Sequence, residues 1–393
     1  MIRKGFLVTA CLFIHMLSPG PSVSFGILYR EMRLEFGTSH TEAAWIASIF
    51  NGLLGFVGIP LSLVANKIGE RWPTVCGSLL LALGMLTSMF AKKTSIMYVT
   101  YGLLAGSGAG IIDFCANTHL VANFNDKWRP VAATVTNAGV PLSALILPPI
   151  LTTVIEQFDL KKALLFLACL SLLGVPAGLC FYPQKLTDIS QSESITEQRQ
   201  HTSRKLSRFL KNANYMLYLT SACIIGFVFY VPATFLPDLM HECDRSSREV
   251  YICLMTMGSG DLTARLLLGF LVQWKPTYVA FIHSAGIIVL CASSVLITFS
   301  KSFEAFIIMS GMIGIGSGCF AGLFFFLSTH VLPAEDVRFG YGIVLTFVGM
   351  ALVVGMPLAG FVTDFFGTVR GAFIFSSIVF FISVLLELII GIR

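Results

Sequence analysis

Apolar residues run along this chain in stretches of about 20 or more, interrupted by short groups of charged and turn-forming residues. A stretch of that length crosses a hydrocarbon core of roughly 30 Å as a helix rising about 1.5 Å per residue. The pattern predicts six transmembrane helices near 5–29, 43–65, 72–91, 95–124, 130–155 and 163–182, and six more near 213–239, 249–273, 276–299, 302–329, 338–363 and 370–391. Between the two sets lies one long polar stretch, Pro183 to Lys211, rich in Ser, Gln, Glu and basic residues and lacking a sustained apolar face. It reads as a flexible linker. The expected organisation is an all-α membrane protein with a six-helix bundle at 1–182, a cytoplasmic linker at 183–212 and a second six-helix bundle at 213–393. Arg3 and Lys4 ahead of the run from Phe6 to Leu17, with small residues around Ser22 to Ser24, also fit a cleaved signal peptide. The apolar character resumes through Phe25 to Tyr29, which favours a retained span.

Composition agrees with lipid as solvent. The chain is 55% hydrophobic and 12% charged, with mean hydropathy +0.82, where a soluble domain carries roughly 25% charged residues. In a soluble protein a net charge of +5 would suggest nucleic acid, but here the Lys and Arg residues sit in short loops between apolar runs. No nucleic-acid partner is expected; the bilayer is. The basic residues are more numerous on the side of the termini, which places both termini in the cytoplasm, with the plasma membrane as the expected site. The ten cysteines are scattered and form no CxxC or Cys/His pattern of a metal or redox centre. Walker, HExxH and GxSxG motifs are missing, as is GxGxxG in a strand-turn-helix setting, so neither an enzyme nor a cofactor is expected.

The two halves echo each other. Gly106-Ser107-Gly108 recurs as Gly316-Ser317-Gly318, 210 residues on, while Arg129 and Arg338, and Pro148 and Pro357, are each separated by 209. Repeated bundles with a substrate site at their interface are common in carriers.

Charges inside a membrane helix cost at least ~2.5 kcal/mol, so each needs a partner or a wet cavity. Asp261 and Arg265 stand one turn apart on the eighth helix, spaced to pair as i and i+4. A guanidinium grips a carboxylate through two parallel hydrogen bonds, so Arg265 suits an anionic substrate. Asp261 would neutralise it in the empty state and free it on taking a proton; a permanent packing salt bridge is the alternative. Asp113 and His119 on the fourth helix are the other proton-relay candidates, His119 being equally open to a loop-bonded interfacial role. Asn117 on the same helix is counted with Asp261 and Arg265 as a substrate contact. His15 and His283 read as core residues, Glu387 as reaching the interface, and Phe324-Phe325-Phe326 as packing or lipid-facing rather than a substrate cage.

These residues sit in a wider set of motifs. Ser24-Phe25-Gly26-Ile27-Leu28-Tyr29, Glu42-Ala43-Ala44-Trp45-Ile46, Arg129-Pro130, Gly260-Asp261 to Arg265, Arg338-Phe339-Gly340-Tyr341-Gly342 and Pro357-Leu358-Ala359-Gly360 with Asp364 and Gly367 span nearly the whole chain. Together they resemble the monocarboxylate transporter family of the major facilitator superfamily. The resemblance implies twelve transmembrane helices in two six-helix bundles, alternating access, and transport of a small organic monocarboxylate, commonly by proton symport, with the eighth-helix Asp and Arg in the mechanism. It also implies a possible single-span accessory glycoprotein as partner. Proton-coupled members carry a lysine in the first helix where this sequence has Val23. Branches without it move aromatic amino acids, thyroid hormones or creatine-like solutes by facilitated diffusion, so an amino-acid-like or neutral solute stays open, as does a transport-inactive sensor with the same fold. Asn66-Lys67-Ile68-Gly69-Glu70-Arg71 looks like a degenerate form of the superfamily's Asp-Arg-x-Gly-Arg gate. That likeness makes Lys67, Gly69, Arg71, Arg129 and Arg338 gating candidates.

Overall fold

In the computed structural model, residues 2–58, 60–61, 68–124, 129–181, 208–209, 211–274, 279–331 and 337–391 are described. They form helices without strands among the described residues. Among the described residues the chain makes twelve helical passes in two sets of six, helix being the form in which a single segment satisfies its own backbone groups in lipid. Nine passes among the described residues are long and apolar enough to span a membrane by themselves. The second (His40–Phe56), third (Arg71–Ser88) and eighth (Ser247–Trp274) complete the twelve, the eighth diluted by Asp261 and Arg265. The expected linker lies outside the described residues except at its end, where Phe209 is buried against Tyr215 at 5.2 Å between ring centroids.

Several passes predicted as single helices are broken. The first consists of Ile2–Leu17 and Gly20–Phe36, the fifth of Arg129–Asn137 and Gly139–Gln157, and the seventh of Ala213–Val228 and Val231–Glu242. Proline explains each break, since it has no N–H for the carbonyl four residues back. Pro19 and Pro21, Pro141, and Pro232 stand at or just beyond the three breaks. The fourth pass opens with an α-helical turn at Thr94–Met97, becomes a π-helix over Tyr98–Ala105 and continues as Gly106–Asn123.

Glycine allows close approach around the fourth and tenth passes (the tenth being Phe303–Val331), and the neighbours reveal the true register of the repeat. A Cβ on Gly106 or Gly110 would press on the second pass and one on Gly108 on the third. Likewise a Cβ on Gly314 or Gly318 would press on the eighth pass and one on Gly316 on the ninth (Val279–Leu296). The halves therefore superpose at an offset of 208 here, two residues away from the match of the Gly-Ser-Gly triplets in sequence. In that register Leu53 and Val57 occupy the places of Asp261 and Arg265, so the charged pair belongs to the second half alone.

The halves meet along the second and eleventh passes (the latter Val337–Phe366), the fifth and eighth, and the first and seventh. At the end carrying the 37–39, 243–246 and 367–369 connections, charges lock them together. Asp238 is 3.2 Å from Arg33, 3.7 Å from Arg30 and 3.5 Å from His40. Asp364, at the end of the eleventh pass, accepts from the backbone N–H groups of His40 and Thr41, both at 2.9 Å. A carboxylate at a helix N-terminus satisfies orphan donors and faces the positive end of the dipole.

Candidate functional site

A cavity of about 200 Å³ lies between the halves, lined by the first, second, fourth, fifth, seventh, eighth, ninth, tenth and eleventh passes. Its walls are mostly apolar, with Phe229, Phe320, Phe324 and Tyr341 on one side and aliphatic residues such as Val23, Leu54 and Val140 on the other. Its polar content is small: Asp113, Asn117, Asn137, Tyr230, Asp261, Arg265, Ser317 and Tyr341.

Arg265 is only 4% exposed and Asp261 6%. Arg265 Nε donates to Asp261 Oδ1 at 2.5 Å and Nη2 to Oδ2 at 3.0 Å, a bidentate fork closed on the helix's own preceding turn. The remaining Nη1 donates across the interface to the carbonyl of Asn137 at 3.3 Å. That carbonyl is available for a reason written in the sequence: its helical donor would be the N–H of residue 141, which is proline. Pro141 thus does more than break the fifth pass: it supplies a backbone acceptor to the other half.

The fourth pass contributes Asp113, whose Oδ2 accepts from Asn117 Nδ2 at 3.3 Å, while Asn117 also donates to the Asp113 carbonyl at 3.1 Å. On its other side Asp113 Oδ1 lies 3.7 Å from His15 Nε2. Asp113 and His119, named together from sequence as proton-relay candidates, do not share the cavity. Helix periodicity turns His119 away from the cavity, where it is buried, stacks on Phe181 at 4.5 Å and pairs with Glu70 at 3.4 Å. His15, read as an ordinary core residue, is the imidazole that meets Asp113.

Two further expectations change. Glu387 does not reach the interface: it is 3% exposed and holds His283 at 2.9 Å, Ser221 at 2.9 Å and Ser284 at 2.9 Å. One buried carboxylate thereby ties three passes of the second half, a tie invisible to sequence because its partners are 103 to 166 positions away. Phe324 lines the cavity instead of serving only as packing, in contact with Phe320 and Tyr341 at 5.4 and 5.8 Å between centroids.

Of the gating candidates, Gly69 holds φ +75°, the left-handed turn that precedes the third pass, and Arg71 begins that pass with its guanidinium 6.0 Å over the Trp72 ring. Lys67 lies outside the described residues, as do the side chains of Arg129 and Arg338, whose backbones stand in the first turns of the fifth and eleventh passes. The clamp of Asp238 and Asp364 was missed; its signal was an acid near the end of each of the seventh and eleventh passes, with Arg30 and Arg33 near the end of the first.

Comparison with known proteins bears on this architecture. The Major Facilitator Superfamily model matches residues 10–300 and 282–391. Among curated relatives, Monocarboxylate transporter 4 of Gallus gallus is 24% identical, with 93% of this chain and 78% of the relative covered. Monocarboxylate transporter 13 of Rattus norvegicus is 23% identical over 94% and 84%, and Monocarboxylate transporter 2 of Homo sapiens 24% over 92% and 80%. A POT family transporter solved in complex with 5-aminolevulinic acid superposes with TM-score 0.75 at 14% identity, covering 99% of this chain and 95% of that one. The twelve helical passes, the paired six-helix halves and the match along the chain agree: this protein is a multi-pass membrane transporter that belongs to the Major Facilitator Superfamily.

Proposed function

We propose that the protein carries a small organic monocarboxylate through the central cavity by alternating access, with Arg265 as the anchor of the substrate carboxylate. The observation that carries this reading is the buried guanidinium at the cavity wall, held by a carboxylate of its own helix and a carbonyl of the other half. An incoming carboxylate offers the same two-oxygen geometry as Asp261 and competes for the same nitrogens. Asp261 is then the resting counter-ion, and Asn117 a second polar contact across the cavity. The names of the relatives point to the same substrate class.

Proton symport belongs to this reading, since neutralising Asp113 or Asp261 offsets the charge that the anion brings. The clamp of Asp238, Arg33 and Asp364 serves as the gate at one end, and Lys67, Gly69, Arg71, Arg129 and Arg338 as gating residues at the other. Both termini are cytoplasmic in the plasma membrane, in keeping with the basic bias of that side, and a single-span glycoprotein is the accessory partner.

A second reading, facilitated diffusion of an amino-acid-like solute, draws on Val23 and the wall of Phe229, Phe320 and Phe324, which leave room for an apolar body. Uptake of radiolabelled pyruvate, lactate and phenylalanine into proteoliposomes at two external pH values separates the two. Acid-stimulated pyruvate or lactate uptake that is lost in Arg265→Ala supports the first reading; phenylalanine uptake indifferent to pH supports the second. A protein that binds these solutes without exchanging them is a sensor, and both carrier readings fall.

A further inference from the structure

We propose that one transported proton resides between His15 and Asp113, and that its presence decides whether the cavity admits an anion. The inference rests on the transport reading above and names the site of its proton. His15 is 1% exposed, and its Nδ1 lies 2.7 Å from the carbonyl of Cys11. A carbonyl only accepts, so Nδ1 carries a hydrogen and Nε2 is the variable position. Nε2 is buried without a hydrogen-bond partner and faces Asp113 Oδ1 at 3.7 Å. Without a proton in that gap, a lone pair would confront a carboxylate oxygen. With one, the pair is an imidazolium beside a carboxylate or a carboxylic acid beside a neutral imidazole, neutral overall in either form.

The gap is held in place. Ser18 donates to the Ala109 carbonyl at 2.7 Å and Cys11 to that of Ala116 at 3.6 Å, pinning the first pass to the fourth on both sides of the pair. Asp113 also borders the cavity, its side chain 23% exposed, which gives the proton a route to water.

The charged and titratable groups around the pair decide what the proton does. Cys11 and Cys115 lie buried on the same two helices as the pair, and His119, farther along the fourth pass, pairs with Glu70 at the start of the third. Across the cavity stand Tyr230, Tyr341, Asp261 and Arg265, and Tyr230 lies within electrostatic reach of Asp113, Asp261 and Arg265 together. Asp261 and Arg265 cancel each other. The cavity is therefore neutral when the His15 and Asp113 gap is loaded and singly negative when it is empty. A carboxylate is repelled from the empty form and accepted by the loaded one, so proton entry precedes anion entry, and the proton returns to water after the anion leaves. Val23 gives this wall no lysine, and the pair supplies the charge control from within the helices.

Infrared difference spectra of the purified full-length protein between acid and alkaline pH read this proton without knowledge of the substrate. The expected result is a protonation signal that disappears in Asp113→Asn and moves along the pH axis by one unit or more in His15→Asn, whose amide N–H replaces the bond to the Cys11 carbonyl while removing Nε2. The signal persists in Asp261→Asn. In proteoliposomes, His15→Asn is expected to lose at least tenfold of acid-driven pyruvate accumulation. A titration in His15→Asn identical to that of the monodisperse wild type, or a signal retained in Asp113→Asn, overturns the proposal. Absence of pyruvate, lactate and phenylalanine transport by the wild type with the infrared signal intact overturns the transport reading and leaves the proton site standing.

Discussion

The guanidinium of Arg265 donates to the backbone carbonyl of Asn137 at 3.3 Å, joining residues 128 positions apart and on opposite halves of the molecule. This bond crosses the surface along which the halves would rock in the proposed alternating access, and it would break and reform as they move. It also makes Arg265 a reporter of whether the halves are closed around the cavity.

Replacing Arg265 tests the anchor. Arg265→Ala is expected to abolish carboxylate uptake, and Arg265→Lys, which keeps the charge and loses the fork, to raise the KM for pyruvate about 10- to 100-fold, as expected for the loss of a charged hydrogen bond of ~1.5–3 kcal/mol. Uptake kinetics in proteoliposomes with matched protein content measure both. Unchanged KM in the lysine variant would place the carboxylate elsewhere.

Asp261→Asn keeps the shape of the side chain and removes its charge, so the guanidinium gains a net positive cavity. The expected outcome is tighter binding of pyruvate at neutral pH with slowed turnover, because release now leaves an uncompensated cation. Binding is read by isothermal titration and turnover by counterflow.

Gly318 packs against Asp261, where an added Cβ would stand 2.6 Å from its carbonyl oxygen and 2.9 Å from Oδ1. Gly318→Ala therefore pushes the tenth pass from the eighth and disturbs the fork. Transport is expected to fall at least tenfold while Gly342→Ala, which meets nothing within 4 Å, leaves it unchanged. Equal activity in the two variants would show that the contact relaxes at no cost.

Asp364 caps the second pass, and in the proposed gate it helps hold that end shut. Loss of such a cap costs about 0.5–2 kcal/mol, which shifts a two-state equilibrium about 2- to 30-fold. Asp364→Ala is expected to expose that end, measured as faster labelling by a membrane-impermeant maleimide of a cysteine placed at Val23. An unaltered labelling rate would remove Asp364 from the gate.

Glu387 is expected to matter for stability. Glu387→Ala removes the shared acceptor of His283, Ser221 and Ser284 in the second half, and leaving a buried donor such as His283 Nδ1 without it costs about 1–3 kcal/mol. The unfolding temperature in detergent is expected to drop by several degrees, with the substrate KM unchanged in the folded fraction.

The sequence by itself determined the lipid-embedded all-helical class, the division into two sets of six passes, and the presence of one buried Asp and Arg pair on a single turn. These are local properties: run length is set by bilayer thickness, and partners four residues apart on a helix meet wherever the helix lies. Only the tertiary structure decided the rest. His15 rather than His119 meets Asp113, Glu387 turns inward to His283, and the carbonyl freed by Pro141 is taken by Arg265. In each case the partners lie on different helices, and their meeting depends on how those helices rotate and pack, which residue spacing along one chain does not encode.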